Sequence, residues 1–584
     1  MTLQQNQHLI IIKRTQMDFK KTILWAVFSM SGLLLYNNWQ VHEGKPSMFG
    51  GPLATAPAPT DKAAATSRAD VPAQLSSTPA IATTPIINGD LMEGGEKFTL
   101  QNDVLVLKIS SSGANVVDAK LLKSLTAENK PVELFQYTPT HKYFARSGLI
   151  SLNSDLPNHT STFKLVQSGK DESGRPFIIF VSERNGVKLE KTFLLNSGSY
   201  VVDVGHRITQ TSNNPNPLVL YTEIVRDASQ EQKIGPFDGA FSASTFTGPA
   251  AYTDKEKFNK LEFTAIDKNK ITIPTQVAAG EPAWIAMVQH YFASAWIPSD
   301  KVVRDIYANK IDNNLYRIGM QTPLGVVPAG STVVEKAKLF VGPQEERVLE
   351  TIAPGFELLK DYGYLTILAK PIFWLLDNIH SYVGNWGWSI ILLTILIKLV
   401  FFPLSAASYK SMARMKEVQP RLVAMKEQFK GEPQKMNQAM MEMYRKEKIN
   451  PLGGCLPVVI QIPVFIALYW VLLSSVELRG APWILWVHDL SLPDTSISDL
   501  IGLNSIPIGI LPIIMAASMF VQTKLNPTPP DPIQAKVMMY MPLVFSVMFF
   551  FFPAGLVLYW VVNNLLSIAQ QWQINQMFGK KLVK

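Results

Sequence analysis

Cysteine is nearly absent: Cys455 is the single thiol in 584 residues. One cysteine cannot pair within its own chain, so a disulfide framework is excluded. Cys455 opens an apolar run and is most simply a small buried hydrophobe. No cysteine follows the first apolar segment, which excludes a lipidated cysteine anchor at that place. Charge is also scarce: Asp, Glu, Lys and Arg make up 17% of the chain, against about 25% in an average soluble protein. Catalytic signatures are missing. There is no His-Glu-x-x-His helix, no Gly-x-Ser-x-Gly elbow and no phosphate-binding glycine loop, and no RNA-binding or DNA-binding motif. Nothing calls for an enzyme, a metal, a nucleotide or another cofactor, or for sequence-specific contact with nucleic acid.

What is plentiful is unevenly placed. The hydrophobic residues, 47% in all, gather near the N-terminus and in the last third. Lys20 and Lys21 precede an apolar run over 23–35, and Tyr36, Asn37, Asn38 and Trp39 after it make a poor cleavage site. Residues 1–39 are therefore predicted as a cytoplasmic tail and an uncleaved signal-anchor span. Met17, followed by Asp-Phe-Lys-Lys, is a second candidate start beside Met1. Residues 40–92 are rich in Pro, Ala, Thr and Ser and read as a disordered tether. From 93 to 345, short β-rich runs such as VKLEKTFLL and SYVVDVGHRI are separated by Gly, Asn, Asp and Ser. That pattern predicts an all-β sandwich. His290 lies in one such run and reads as a packed histidine. Residues 346–382 are amphipathic and predict an interfacial helical connector.

Five apolar stretches follow, near 383–402, 456–473, 506–521, 537–552 and 555–568. Several hold fewer than the roughly 20 apolar residues of a full hydrocarbon crossing, and short spans thin the bilayer locally. Pro553-Ala554-Gly555 splits the last run into two helices. Trp386, Trp388, Trp483 and Trp486 sit at span ends, as an interfacial belt would. The loop 404–450 carries ten Lys and Arg that include Lys410, Arg414 and Arg421, whereas 474–505 carries only Arg479. The positive-inside rule puts 404–450 and both termini, including the basic tail 573–584, in the cytoplasm, and the β domain outside. The fold expected is a polytopic α-helical membrane protein with six spans and a large exported all-β sandwich.

Three groups of residues are candidates for a mechanism. In the cytoplasmic loop, Met415, Val418, Leu422, Met425 and Phe429 recur at helical spacing; Gly431-Glu432-Pro433 breaks the chain, and Met436, Met440 and Met443 continue the pattern. This predicts an antiparallel helical hairpin. A spacer whose methionines pack together is the simpler reading; a Met-rich arm that meets nascent chains or the ribosome is the other. Lys398 is a cation inside a span, which costs about 2.5–3.5 kcal/mol at the bilayer centre. Its nearness to Pro403 leaves snorkelling and function both open. Thr394 lies one turn away on the same face. Gln461, Tyr559, Trp560, Asn563 and Asn564 are polar or aromatic positions in later spans. They fit either interhelical hydrogen bonds or one hydrated groove. A solute transporter with an exported domain and an anchored sugar-active enzyme remain rivals on these grounds alone. Against the first, no internal repeat of spans is visible.

The stretches VGNWGWSIILLTILIK, INPLGGCLPVVIQIPVFIALYW, SSVELRGAPWILWVHDLS and FPAGLVLYWVVNNLLSIAQQ resemble the signature segments of the YidC/Oxa/Alb family of membrane protein insertases. The resemblance reaches from Met17 almost to the end and is sharpest over 383–572. It implies insertion and folding of nascent membrane proteins in the bacterial inner membrane, alone or beside the Sec translocon, with ribosome, targeting factors and membrane lipids as partners. It also implies a five-helix core around a hydrophilic groove open to cytoplasm and lipid. In that groove Lys398 stands where the family usually has Arg, a change that keeps the charge and loses the planar fork. Thr394 and Gln461 match groove-lining positions. Tyr559 and Trp560 match an aromatic pair beside the client's path, usually two tyrosines, with Asn563 on the same helix. The exported domain resembles a β-supersandwich similar to sugar-binding folds, from which sugar binding does not follow.

Overall fold

The computed structural model describes residues 95–579 except 127–128, 152–153, 214–215, 230–245, 272–275, 430–431, 448–455, 503–506 and 526–531. The signal-anchor, the tether, Gly431, Cys455 and the last five residues of the basic tail lie outside the described residues.

Alternation builds the exported domain. The strand Val187–Leu195 is buried at every second residue, the period at which a pleated strand turns side chains to one face. It pairs with Pro176–Arg184 through a two-residue Asn185-Gly186 turn in which both residues have positive φ. That sequence is the favoured chemistry for a tight hairpin. Among the described residues, eighteen strands between Lys97 and Pro343 form two nine-stranded antiparallel sheets. One runs from the edge strand Lys97–Gln101 to Gln276–Val277, the other from Lys257–Lys260 to Lys164–Lys170. The sheets share one hydrophobic core. Polar side chains stitch them: Trp296 Nε1 donates to the Glu223 carbonyl at 3.0 Å, and the Tyr143 hydroxyl meets Ser294 Oγ at 2.7 Å. The expected sandwich is therefore present, with a one-turn helix Phe263–Asp267 added.

After Pro343 the chain turns helical. A short turn Glu346–Leu349 leads to the connector helix α1 (Thr366–Val383), which buries Ala369, Phe373 and Leu376 and exposes Ile367, Trp374 and Tyr382. Then come α2 (Trp386–Val400), α3 (Phe402–Gln428), α4 (Pro433–Lys446), α5 (Leu456–Ser474), α6 (Ile510–Leu525), α7 (Pro532–Met548) and α8 (Ala554–Gly579). Among the described residues no single helix is long and apolar enough to cross a membrane. Only α2 with the first part of α3 qualifies, and this pair is bent by 67°. Pro403 near the start of α3 accounts for the break, because it cannot donate to the preceding turn. The six-span count read from the sequence thus goes beyond helix length. Helix α8 also runs on to Gly579, well past the expected end at 568.

His290 corrects a further expectation. It lies in the turn between Ala283–Val288 and Phe292–Pro298, and its Nε2 donates to the Leu473 carbonyl at the end of α5 (2.8 Å). It ties the sandwich to the helical core. Nearby, Lys360 Nζ bonds both Glu477 oxygens at 2.9 Å and lies 3.5 Å from the Phe373 ring centroid. Glu346 accepts the Tyr362 hydroxyl, and its own N–H donates to Glu477 (3.3 Å). Gly363 has φ +65 and lies so close to Trp470 that a Cβ there would sit 2.8 Å from the indole.

Two outcomes follow. Removing one member of a buried ion pair strands the other, at a cost of about 3–5 kcal/mol. Glu477→Ala should therefore destabilise the junction strongly, and Lys360→Met with Glu477→Leu should recover most of the loss. A thermal-unfolding double-mutant cycle in detergent measures this, and purely additive losses would refute a coupled pair. Second, alternation carries Lys191 into the sandwich core, where its Nζ donates to the carbonyls of Gly113 and Ser147 (2.6 and 2.7 Å). Burial pushes this amine down to about 7, from 10.5. Between those values the unfolded chain holds more protons, so stability should rise with pH. The denaturant midpoint of the sandwich, read by hydrogen exchange in the intact protein, should climb from about pH 7 to 9, and Lys191→Met should flatten the climb.

Candidate functional site

The helices meet around a short polar chain. Helix α2 is strongly apolar and starts at Asn385, whose side chain accepts the Trp388 N–H at 3.1 Å. This cap satisfies one of the free donors of the first turn. Helix α8 starts after Pro553 and is strapped by a loop from outside: the N–H groups of Ala554 and Gly555 donate to the carbonyls of Leu492 and Leu490 at 2.8 and 2.9 Å. A Cβ at residue 555 would lie 3.1 Å from the Leu490 oxygen, so the approach favours glycine. These anchors bring α2, α5 and α8 together.

Lys398 is 7% exposed. Its amine does not snorkel outward; it donates to Ser567 Oγ on α8 at 2.7 Å. Ser567 in turn donates to the Asn563 carbonyl at 2.7 Å. The Asn563 side-chain oxygen accepts from Gln461 Nε2 on α5. Asn564, one residue along, donates to Ser518 on α6 at 3.1 Å. Four helices are thus linked by side chains that apolar packing could not orient. Thr394 is buried on the same side of α2, but its hydroxyl donates to its own helix at Ile390 (2.6 Å) and leaves the chain.

Tyr559 is buried, lies beside Gln461 and stacks on Phe465 with centroids 6.4 Å apart. Among the described residues its hydroxyl makes no hydrogen bond of regular geometry. Trp560 meets Phe465 and Phe549 edge-on at 4.9 and 5.4 Å, and its buried indole N–H has no partner among the described residues. Lys398, Gln461 and Ser405 border a cavity of about 20 Å³, room for roughly one water. Sequence reasoning brings Lys398, Gln461, Asn563, Tyr559 and Trp560 to this place, and the structure holds them there. It missed Ser567, although Ser567 is four residues beyond Asn563 on one helix face, and Tyr409 of α3, which lies against Ser567.

The expected helical hairpin takes the form of α3 and α4. Val418, Leu422 and Met443 are its buried seam, with Met415, Met425, Met440 and Tyr444 packed around them. Arg421 pairs with Glu447 across it at 2.8 Å. Phe429 and Met436 are half-buried at the turn, outside that seam, and Tyr444 takes a place the spacing did not assign. Trp386 also departs from the expected belt, being buried and stacked on His380 at 3.8 Å.

A larger cavity of about 710 Å³ lies on the sandwich beside the Glu346–Leu349 turn, bordered by Lys123, Tyr200, Asp203, Lys338 and Glu345. Of its two carboxylates, Asp203 is engaged by Asn196 at 3.3 Å.

Gln461 and Asn563 each satisfy the other, so Gln461→Leu should leave a buried carbonyl oxygen without its donor. Interhelical bonds of this kind contribute about 0.6–2 kcal/mol. The double variant with Asn563→Leu should lose less than the sum of the two single changes in detergent unfolding. Strict additivity would show that the two side chains do not act as a pair.

Comparison with known proteins finds relatives over nearly the whole chain. Residues 378–581 match the family described as 60Kd inner membrane protein, and residues 97–375 match the YidC periplasmic domain. The chain is 85% identical over 569 residues to the membrane protein insertase YidC of Polynucleobacter necessarius, covering 97% of this chain and 100% of that protein. It is 55% identical over 573 residues to the membrane protein insertase YidC of Cupriavidus taiwanensis, covering 97% and 98%. A solved YidC insertase with its first transmembrane domain resolved aligns over 82% of this chain and 92% of that one, at 17% identity and a TM-score of 0.37.

Proposed function

The chain belongs to the YidC family of membrane protein insertases, and from that premise we propose that the Lys398 polar chain is where clients are received. Members of this family are inner membrane proteins with a periplasmic domain, and their clients are nascent membrane proteins. The observation that supports the site is the isolation of Lys398. It is a buried amine whose partner is a neutral hydroxyl, and among the described residues it has no carboxylate in reach. Buried charges are ordinarily paired. A client's acidic outer tail supplies the missing counter-charge, and the attraction is strong because the surroundings are poor in water.

The rest of the reading follows from the neighbours. Gln461 and Asn563 offer exchangeable hydrogen bonds to a passing polar backbone, and Ser567 returns the amine to its resting contact. Tyr559, Trp560 and Phe465 give the apolar part of the client a smooth aromatic face toward lipid. The resting cavity admits about one water, so the groove opens with the client, and the bend between α2 and α3 at Phe401 is the place to absorb that motion. Burial of the client's apolar segment, at about 25 cal/mol per Å², supplies the drive. The Met-rich seam of α3 and α4 is turned inward, so any docking of ribosome, targeting factors or nascent chain at the hairpin uses its basic outer face. The proposed topology has six spans with both termini in the cytoplasm and residues 40–345 in the periplasm, and the Sec translocon as a companion.

The test is insertion of a small single-span protein with an acidic outer tail into liposomes holding only this protein. Native protein and Lys398→Arg should protect the tail from external protease, while Lys398→Ala should fall to the level of empty liposomes. Full activity of Lys398→Ala would remove the amine from the mechanism.

A further inference from the structure

The loop after α5 makes a tight turn at the outer end of the core. Within 483–487, the Trp483 N–H donates to the Val487 carbonyl at 3.0 Å and the Val487 N–H donates to the Ile484 carbonyl at 3.2 Å. Leu485 is the first central residue of this turn and has φ +55. That conformation favours glycine, because an L side chain crowds its own backbone there. Among the described residues it is the only large apolar side chain so held. It is also 76% exposed, with Ile484 exposed beside it. A leucine held in this conformation and mostly exposed adds little to its own chain's core, and strain of this kind persists where the surroundings or a partner offset it.

The turn is rigidly mounted. Asn385, the residue that caps α2, donates its side-chain amide to the carbonyls of Pro482 and Trp483 at 3.2 and 3.3 Å. Trp483 meets Trp388 edge-on at 5.8 Å, and any Cβ at Gly387 would collide with the Trp483 ring. From Trp388 an exposed apolar stripe continues down α2 through Leu392, Leu396 and Leu399. The tip therefore prolongs the outward face of α2 beyond its first turn. Residues 480–487 carry no charge. Helix α2 has 15 residues, about 22 Å at 1.5 Å per residue, against about 30 Å of hydrocarbon.

We propose that the 483–487 turn is a fixed wedge seated in the acyl-chain boundary of the outer leaflet, with lipid as its occupant. Ile484 and Leu485 continue the hydrocarbon-facing surface where α2 stops short, and the left-handed backbone aims Leu485 into it. This rests on the reading of α2 as a span.

The experiment uses full-length protein in proteoliposomes, with Cys455→Ala as background and an environment-sensitive fluorophore on a single introduced cysteine. Leu485→Cys should report an apolar setting and be quenched by lipids bearing a nitroxide high on the acyl chain. Leu396→Cys should be quenched by a deeper nitroxide, and Lys164→Cys, on the exposed edge strand, by neither. A water-like, unquenched label at 485 with a quenched label at 396 would overturn the wedge alone. Absence of quenching at 396 would instead bring down the span reading. Quenching at 485 only while a client is being inserted would assign the surface to clients and overturn the lipid proposal. Leu485→Gly should leave the unfolding temperature in detergent unchanged or raised; a clear fall would make Leu485 an internal packing residue and overturn the proposal too.

Discussion

Inside hydrocarbon no water is available to partner a polar group, so every donor and acceptor there must be met by protein. The core of this molecule is arranged around that constraint. Lys398, Ser567, Asn563 and Gln461 form one line of hydrogen bonds across α2, α8 and α5, and Asn564 with Ser518 extends it to α6. Lipid tails are as apolar as leucine, so packing alone gives helices little reason to choose one another in a membrane. Directional bonds between specific side chains supply the choice. The same line holds a cation, Lys398, on a neutral hydroxyl, and the proposed reception of clients rests on that contact.

The exported sandwich is seated on the core by contacts of the opposite kind. The His290–carbonyl bond comes from the sandwich itself, and the connector that follows it adds a full ion pair (Lys360 with Glu477) and the close approach of Gly363 to Trp470. Arg479 adds its guanidinium against Tyr291 and Phe292 at 5.6 and 5.2 Å. Each group has its partner, and none offers a free valence to a client. The polar chemistry of the two places therefore differs: charge meets charge at the junction, whereas Lys398 rests on a neutral hydroxyl.

Much of this was legible from residue order. Period-two alternation and turn residues marked the sandwich, and Pro553 marked the start of α8. Lys398, Gln461 and Asn563 stood out because polar side chains are rare in apolar runs. Other parts depend on facts that order does not carry. Ser567 is a common residue near a helix end, and only the crossing of α2 and α8 makes it the acceptor for Lys398. Thr394 has the right position and the wrong partner, since a threonine in a helix readily bonds to its own preceding turn. His290 and Leu473 are 183 residues apart, and nothing local announces their bond. Alternation turns Lys191 inward, but the carbonyls of Gly113 and Ser147 that receive its amine lie 78 and 44 residues away in sequence.

The strand of polar bonds through the core also sets an order of events for the molecule's own birth. Ser567 follows Lys398 by 169 residues, and Asn563 follows Gln461 by 102. Translation proceeds at roughly 5–20 residues per second, so Lys398 waits roughly 8–34 seconds for its partner to be made. During that interval a cation and an amide sit in or near the bilayer without the helix that completes them. The newborn chain is then in the same predicament as the proteins its family serves, with polar groups in an apolar setting before their partners exist.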